Sequence, residues 1–82
     1  MKMNMYSVRD LATNQFNQPF CEIADDAAIR GFSYQINNNG IMGFKPTDFQ
    51  LFQVGEFDLE KGDVASVLPV LICRGEDVYA DK

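Results

Sequence analysis

The chain has no histidine and no tryptophan, and only two of its 82 residues are cysteine. Without histidine, a serine–histidine or cysteine–histidine pair cannot activate a nucleophile within one chain. A structural zinc site is not expected either, because such sites use sets of cysteine and histidine, and no Cys-x-x-Cys is present. Two cysteines are too few for a disulfide scaffold. We therefore expect Cys21 and Cys73 to be reduced, small, buried apolar residues.

Long apolar segments are also missing. The longest run near the end of the chain, residues 67–73, has seven residues and includes Pro69. A membrane-spanning helix needs about 20 apolar residues, so none is predicted. The first six residues lack the apolar run of a signal peptide. These features predict a cytoplasmic protein that does not associate with membranes.

The sequence offers no recognisable cofactor or metal site. The glycines at 40 and 43 do not have the spacing of a phosphate-binding loop. Four acidic residues lie close together, but they do not match a calcium-binding loop, in which a glycine is sixth and a glutamate twelfth. The interpretation we favour is a solvated hairpin tip. We therefore expect no metal, no cofactor and no enzymatic activity. The four acidic residues are Glu56, Asp58, Glu60 and Asp63.

The charge is acidic, with 12 Asp and Glu against 7 Lys and Arg, a formal net charge of −5. The basic residues are scattered between Lys2 and Lys82 without a run. Because binding to nucleic acid draws on clustered cations that displace counterions, this balance argues against a general nucleic-acid coat. A local basic patch remains compatible with it.

The length predicts one domain over residues 1–82, with a core over about 2–73 and a tail, 74–82, that frays. So small a core leaves stability marginal, and neither a disulfide nor a metal reinforces it. Two apolar segments, 3–8 and 67–73, look like sheet edges that need cover. We therefore expect a homo-oligomer, most simply a dimer.

Residues 48–58 are the densest stretch of β-formers and predict the central strand. Phe49 and Leu51 alternate onto one face, and Phe52 and Val54 onto the other. Such a strand is either covered on both faces or switches faces at a bulge, for which Gly55 is the candidate. A short loop with a glycine then leads to a second strand, 64–68, which completes a hairpin. Residues 69–73 predict a short final strand or edge segment.

The first half of the chain predicts a strand at 3–9, a polar loop at 11–18 and a strand at 20–23 that pairs antiparallel with the first. A helix follows, capped by Asp25 or Asp26, with an apolar stripe at helical spacing. Gly31 is interpreted as a site of close packing against the sheet. The stripe consists of Ala28, Ile29, Phe32 and Ile36.

Residues 37–40, Asn-Asn-Asn-Gly, predict the end of the helix in a left-handed cap. Residues 41–47 predict a mobile connector without regular structure. The fold class expected is α+β: a mostly antiparallel sheet of four to five strands with one helix packed on one face.

Aromatic residues beside cations are the candidate nucleic-acid contacts, because exposed rings can stack single-stranded bases. Tyr6 lies near Arg9 on the first strand, Tyr34 follows Arg30 on the helix, and Phe44 is next to Lys45. Core packing is the alternative for each ring, since most of ten aromatics must be buried in so small a chain. The candidate residues are Lys2, Tyr6, Arg9, Arg30, Tyr34, Phe44 and Lys45.

Several segments together resemble a known family. They are residues 5–10 (Met-Tyr-Ser-Val-Arg-Asp), Pro19-Phe20, 27–32 (Ala-Ala-Ile-Arg-Gly-Phe), 48–52 (Asp-Phe-Gln-Leu-Phe) and 55–58 (Gly-Glu-Phe-Asp). This pattern resembles the small non-structural, DNA-binding-type protein of gokushovirus-like microviruses, phages with circular single-stranded DNA genomes. The resemblance implies a role in synthesis or packaging of single-stranded genome DNA, in the host bacterial cytoplasm. It brings no catalytic residues.

Two functions remain open at this point. The first is a non-enzymatic protein that binds single-stranded DNA through a local basic and aromatic face. The second is an acidic dimeric adaptor that binds a phage or host replication or assembly protein and does not touch DNA.

Overall fold

A computed structural model describes residues 1–80 of the chain. It shows an α+β fold with a mostly antiparallel five-stranded sheet, which confirms the predicted class. A 3-10 turn, Pro46–Asp48, precedes the fourth strand. In chain order the other elements are β1 (Lys2–Asp10), β2 (Gln15–Phe16), β3 (Phe20–Glu22), α1 (Asp25–Asn38), α2 (Gly40–Phe44), β4 (Phe49–Asp58), β5 (Val64–Arg74) and α3 (Gly75–Val78).

The sheet has the order β2-β1-β4-β5, and β3 joins it along the same edge of β1 as β2. All pairs are antiparallel. β4 therefore lies inside the sheet between β1 and β5, as its density of β-formers predicted. The pairing of the segment after Pro19 with the first strand is confirmed as well.

A bulge in β4 moves its apolar residues from one face to the other. Met5 pairs with Gly55 and Tyr6 with Gln53, so Val54 is the extra residue. Of the two interpretations of this strand, the switch of faces at a bulge is the one found, one residue before the predicted position. Gly55 has a different role, because a Cβ there would lie 2.8 Å from the carbonyl oxygen of Ala65. Glycine thus permits the close approach of β5.

The β4–β5 hairpin closes through a short polar loop, as predicted. The Asp58 carboxylate accepts hydrogen bonds from the amides of Glu60 and Lys61, which lowers the pKa of that carboxyl. Gly62 takes a positive φ of 73°. The two segments expected after the loop form one strand, β5, whose pairing is irregular around Pro69. Proline is tolerated there because that part of β5 donates no regular ladder bond.

The core lies between α1 and one face of the sheet. Ala28, Phe32 and Ile36 of α1 are buried there, which confirms the predicted stripe, and Ile29 is half-buried. The sheet contributes Tyr6, Val8, Phe49 and Leu51, and α2 contributes Met42.

The start of α1 differs from the prediction. Its N-cap is Ala24, which has no side-chain cap, and Asp25 is already helical. The Asp25 carboxylate instead accepts a hydrogen bond from the Tyr6 hydroxyl at 2.6 Å. The aspartate cap was therefore wrong, because a long-range partner on β1 takes the carboxylate.

The end of α1 is also different. Asn39 has a φ of −93°, so the left-handed cap was wrong. Its side chain instead accepts hydrogen bonds from the amides of Ile41 and Met42 and caps α2. The segment expected to be an irregular connector is thus α2 followed by the 3-10 turn, and Met42 anchors it in the core.

The segment expected to fray forms α3 and packs on the core. Gly75 is buried, and Asn37 of α1 holds the helix from the other side. Its side-chain amide donates to the Val78 carbonyl at 3.0 Å, and its oxygen accepts from the Ala80 amide at 2.7 Å. The last two residues of that predicted tail, 81 and 82, lie outside the described residues.

Three smaller predictions can be compared with the structure. Apart from its chain neighbours and the backbone of α1 itself, no atom lies within 4 Å of where a Cβ of Gly31 would be, so close packing against the sheet at this residue was wrong. Cys21 is exposed rather than buried, because β3 is an edge strand. Both cysteines are free, and burial raises the pKa of the half-buried Cys73 thiol to about 11.

Within residues 1–80, no helix is long and apolar enough to cross a membrane.

Candidate nucleic-acid interface

The helices cover one face of the sheet, and the other face, which we call the open face, is without them. Directly paired residues of neighbouring strands project to the same face, so the register assigns each side chain. Tyr6, Val8 and Leu51 lie on the helix-covered face with α1. The residues of the open face are Met3, Met5, Ser7, Arg9, Phe16, Cys21, Gln50, Phe52, Phe57, Val64, Ser66, Leu71 and Arg74.

An arginine and two phenylalanines form a contiguous cluster in the open face. The Arg9 guanidinium carbon lies 5.4 Å from the centre of the Phe16 ring, a cation–π distance. The Phe16 and Phe52 rings meet edge to face with their centres 5.4 Å apart. Phe16 keeps 40% of its surface exposed although it lies in this cluster. The cluster thus presents aromatic surface and positive charge side by side.

The Arg9 side chain is held in place by the β1–β2 turn. Asn14 has a positive φ of 58°, and its side-chain oxygen accepts a hydrogen bond from an Arg9 terminal nitrogen. The buried Arg9 Nε makes no hydrogen bond within the part of the chain that the structure describes. Because the Nε is buried, it is not accessible to a ligand, and contact with an anionic oxygen falls to the terminal nitrogens of the guanidinium.

At the strand positions that the register assigns, the open face carries two cations and no acidic residue. Asp77 of α3 lies at its edge, since its carboxylate accepts a hydrogen bond from the Arg74 amide at 3.3 Å. The cause is the two-residue period of strands. Glu56 and Asp58 of β4, like Asp10 and Glu22, project to the opposite face. An acidic protein therefore has one sheet face on which the only formal charges at paired strand positions are those of Arg9 and Arg74. The charge at these positions is thus positive, although the net charge of the chain is negative.

The structure separates the residues predicted to bind nucleic acid. Arg9 alone lies in the open face. Lys2 pairs with Asp58 on the other face, close to Glu56, so its charge is surrounded by acids. Tyr6 is fully buried and has no surface on which a base could stack.

The remaining candidates lie on the helices. Arg30 and Tyr34 each follow a core residue of α1 by two positions, which places them on its outer side, away from the sheet. Phe44 and Lys45 lie at the end of α2, which packs on α1 and the 3-10 turn. The seven predicted residues thus do not form one site.

Tyr6 is part of a partly buried polar network instead. Its hydroxyl donates to Asp25 and accepts from the Asn4 amide at 3.0 Å, while its ring stacks on Phe20 at 5.8 Å. Burial, followed by the hydrogen bond to Asp25, raises the pKa of Tyr6 to about 12. This network joins β1, β3 and α1, so its role is in the fold.

The prediction from sequence missed Phe16, Phe52, Phe57 and Arg74 as site residues. A partial signal was present, because Phe52 alternates away from the buried Phe49 and Leu51. The position of Phe57 depends on the bulge at Val54, and that of Phe16 on the pairing of a two-residue strand. Neither feature has a local pattern that predicts it.

Comparison with known proteins gives one match. The profile of a family described as Phage ORF5 protein matches residues 3–78. No curated protein and no solved structure matches the chain. The matched segment extends from β1 through α3 and includes every residue of the open face.

Proposed function

The chain belongs to the Phage ORF5 protein family, and from this premise we propose that it is a small phage protein that binds single-stranded DNA through its open face. The observation that supports the proposal is a sheet face whose paired positions hold two arginines, the exposed Phe16 and no acidic residue, in an acidic chain. The resemblance to the non-structural proteins of gokushovirus-like microviruses supports the finer assignment. We propose that the protein acts in synthesis or packaging of a single-stranded genome, in the cytoplasm of the host bacterium.

Binding would combine stacking with phosphate contacts. Each base stacked on an aromatic ring contributes roughly 1–3 kcal/mol. Phe16 and Phe52 offer adjacent rings, and Arg9 beside them can contact the phosphate that joins two stacked bases. Bases in a duplex are paired and stacked on each other, so single strands are the preferred ligand. With few cations, the salt dependence is shallow, about 0.7 logarithmic units per phosphate neutralised.

The proposed role is not enzymatic. General acid–base chemistry needs a group that exchanges protons near the working pH. The polar groups that the register places in the open face are arginine, glutamine, serine and the Cys21 thiol. These groups suit binding, and the proposal includes no cofactor.

Fluorescence anisotropy with a labelled oligothymidine over a salt series tests the proposal. The test variant is Arg9→Glu with Arg74→Glu, which reverses both cations of the open face. The matched control is Arg30→Glu with Lys45→Glu, which changes net charge equally but lies on the helices. We expect the first variant to lose binding at least tenfold and the control to bind within about threefold of wild type.

Two results would contradict the proposal. Equal losses in the two double variants would show that only net charge matters. Absence of binding by the wild type at low salt would remove DNA as the ligand. A third variant, Phe16→Ala, separates stacking from charge, and we expect it to weaken binding by a factor of about 5–160, equivalent to one stacked base.

One observation favours a second function, that of an adaptor. Ile41 and Phe44 are 79% and 88% exposed. Both lie on α2, a helix of only five residues that leaves this apolar surface uncovered. Such a pair suits the groove of a protein partner, and a phage or host replication protein is the candidate. If wild type does not bind DNA, pull-down of purified phage replication proteins with wild type and Phe44→Ser would test this role.

A further inference from the structure

We propose that the free edge of β5 pairs with β5 of a second copy of the chain, antiparallel and about a two-fold axis. β5 is the last strand of the sheet, and its outer edge has no partner within residues 1–80. Four large apolar residues of β5 are exposed to solvent: Val64, Leu68, Val70 and Leu71, with Leu68 89% exposed. An exposed apolar edge of eleven residues is a template for pairing with another strand.

The charges at the two ends of β5 select a second copy as the occupant and fix its direction. Asp63 immediately precedes the strand, and Arg74 ends it. Antiparallel pairing places Asp63 of each copy beside Arg74 of the other, so two opposite-charge contacts form in one dimer. Lys61 and Glu76, one step further out, approach each other in the same way. Parallel pairing would instead bring like charges together at both ends.

The middle of the strand fits a two-fold axis. Val64–Arg74 has its midpoint at Pro69, where the pairing with β4 is already irregular. Pro69 has no amide hydrogen to donate, so hydrogen bonds between the copies come from the halves of the strand on either side of it. With the axis at Pro69, each Leu68 lies opposite Val70 of the other copy, and burying these side chains there replaces exposure to water with apolar contact.

Such a dimer has a defined geometry. The two-fold axis of an antiparallel strand pair is perpendicular to the sheet, so both open faces lie on the same side of the joined sheet. The pairing does not depend on the proposed function, because it requires only β5 and its two ends. It would nevertheless place two sets of Arg9, Phe16 and Arg74 on one continuous surface.

Sedimentation velocity at micromolar concentration, without DNA, tests the proposal. We expect wild type at twice the 9.3 kDa chain mass. Leu68→Lys places one charge on each side of the axis, where it would be buried against the apolar Val70 of the other copy, and we expect this variant to sediment as a monomer of 9.3 kDa. Ile23→Lys is the matched control, because Ile23 is also an exposed apolar residue, follows β3 on the side of the sheet away from β5, and should leave the variant dimeric. Leu68 is exposed, so its replacement leaves the fold, checked by circular dichroism, intact.

A charge exchange tests the direction of pairing. Asp63→Arg alone brings like charges together and lowers the dimer fraction, and adding Arg74→Asp restores it. A wild-type monomer, or a dimer that Leu68→Lys leaves unchanged, would overturn the proposal and would mean that Pro69 and the irregular pairing protect the edge. A double exchange that fails to restore the dimer would overturn the antiparallel arrangement. Because no DNA is present, none of these results depends on whether the open face binds it.

Discussion

Replacing Gly75 with alanine should destabilise the protein more than any other glycine-to-alanine change among residues 1–80. Gly75 lies where β5 turns into α3. A Cβ there would lie 2.2 Å from the Pro46 carbonyl oxygen, 2.9 Å from Ile36 Cδ1 and 3.1 Å from the Phe49 carbonyl oxygen. Two of these atoms belong to the backbone of the 3-10 turn and of β4, which cannot rotate away as a side chain can. The whole of α3 must therefore move.

Overpacking of this kind costs about 1–3 kcal/mol, and contact with backbone atoms places Gly75→Ala at the upper end. For a domain of this size, 3 kcal/mol lowers the melting temperature by roughly 12–24 °C. Total stability, at roughly 0.05–0.15 kcal/mol per residue, is only about 4–12 kcal/mol, so the loss is a large fraction of it. Thermal unfolding followed by circular dichroism, with urea titration as a second method, measures the change.

Gly31→Ala is the matched control. Gly31 lies inside α1, and no atom outside the backbone of α1 and its chain neighbours is within 4 Å of the position that a Cβ would take. Alanine is the better helix former by about 1 kcal/mol, so this variant should melt above wild type. If Gly75→Ala instead melts within a degree or two of wild type, α3 does not pack on the core at Gly75, and the reasoning about this end of the chain is wrong.

Two further predictions concern the core. Phe32→Ala should cost about 3–5 kcal/mol and unfold much of the population at 37 °C, because the ring is buried between α1 and the sheet; a melting curve close to wild type would contradict this. The pKa of Tyr6 is raised from 10.0 to about 12 in the folded state. Between about pH 10 and 12 only the unfolded chain loses this proton, so the free energy of unfolding should fall as pH rises through that range. Urea titrations across that range should show a shallower fall for Tyr6→Phe, while Tyr34→Phe, which alters an exposed ring, should follow wild type.

The elements predicted correctly are those whose patterns are local. β4 was found because five apolar residues fall within nine positions, and α1 because its stripe has helical spacing. The elements predicted wrongly depend on contacts with distant residues. α3 has only four residues and is held by Asn37 and the backbone of the 3-10 turn, which no pattern within its own sequence indicates. Likewise, Asp25 is taken from the expected cap by Tyr6, 19 positions earlier.

The candidate site was also predicted only where its residues have a local sequence pattern. Arg9 was predicted because its strand was predicted, with an aromatic residue nearby. The remainder of the open face is defined by register, and register here depends on a bulge and on a two-residue strand. Displacing β4 by one residue would exchange its two faces and bring Glu56 to the open side. Knowledge of the strands alone therefore could not identify the surface without acids.

The pairing of β1 with β4 sets the order in which the sheet can be completed as the chain is made. β1 ends at Asp10, and its long partner ends at Asp58, so 48 residues are added in between. At about 5–20 residues per second, the ribosome needs roughly 2–10 s for them. During that interval only β2 and β3 can pair with β1, and they cover a single edge of it with five residue pairs. One edge of β1 thus stays unpaired until β4 has been made, and host chaperones have those seconds in which to bind it.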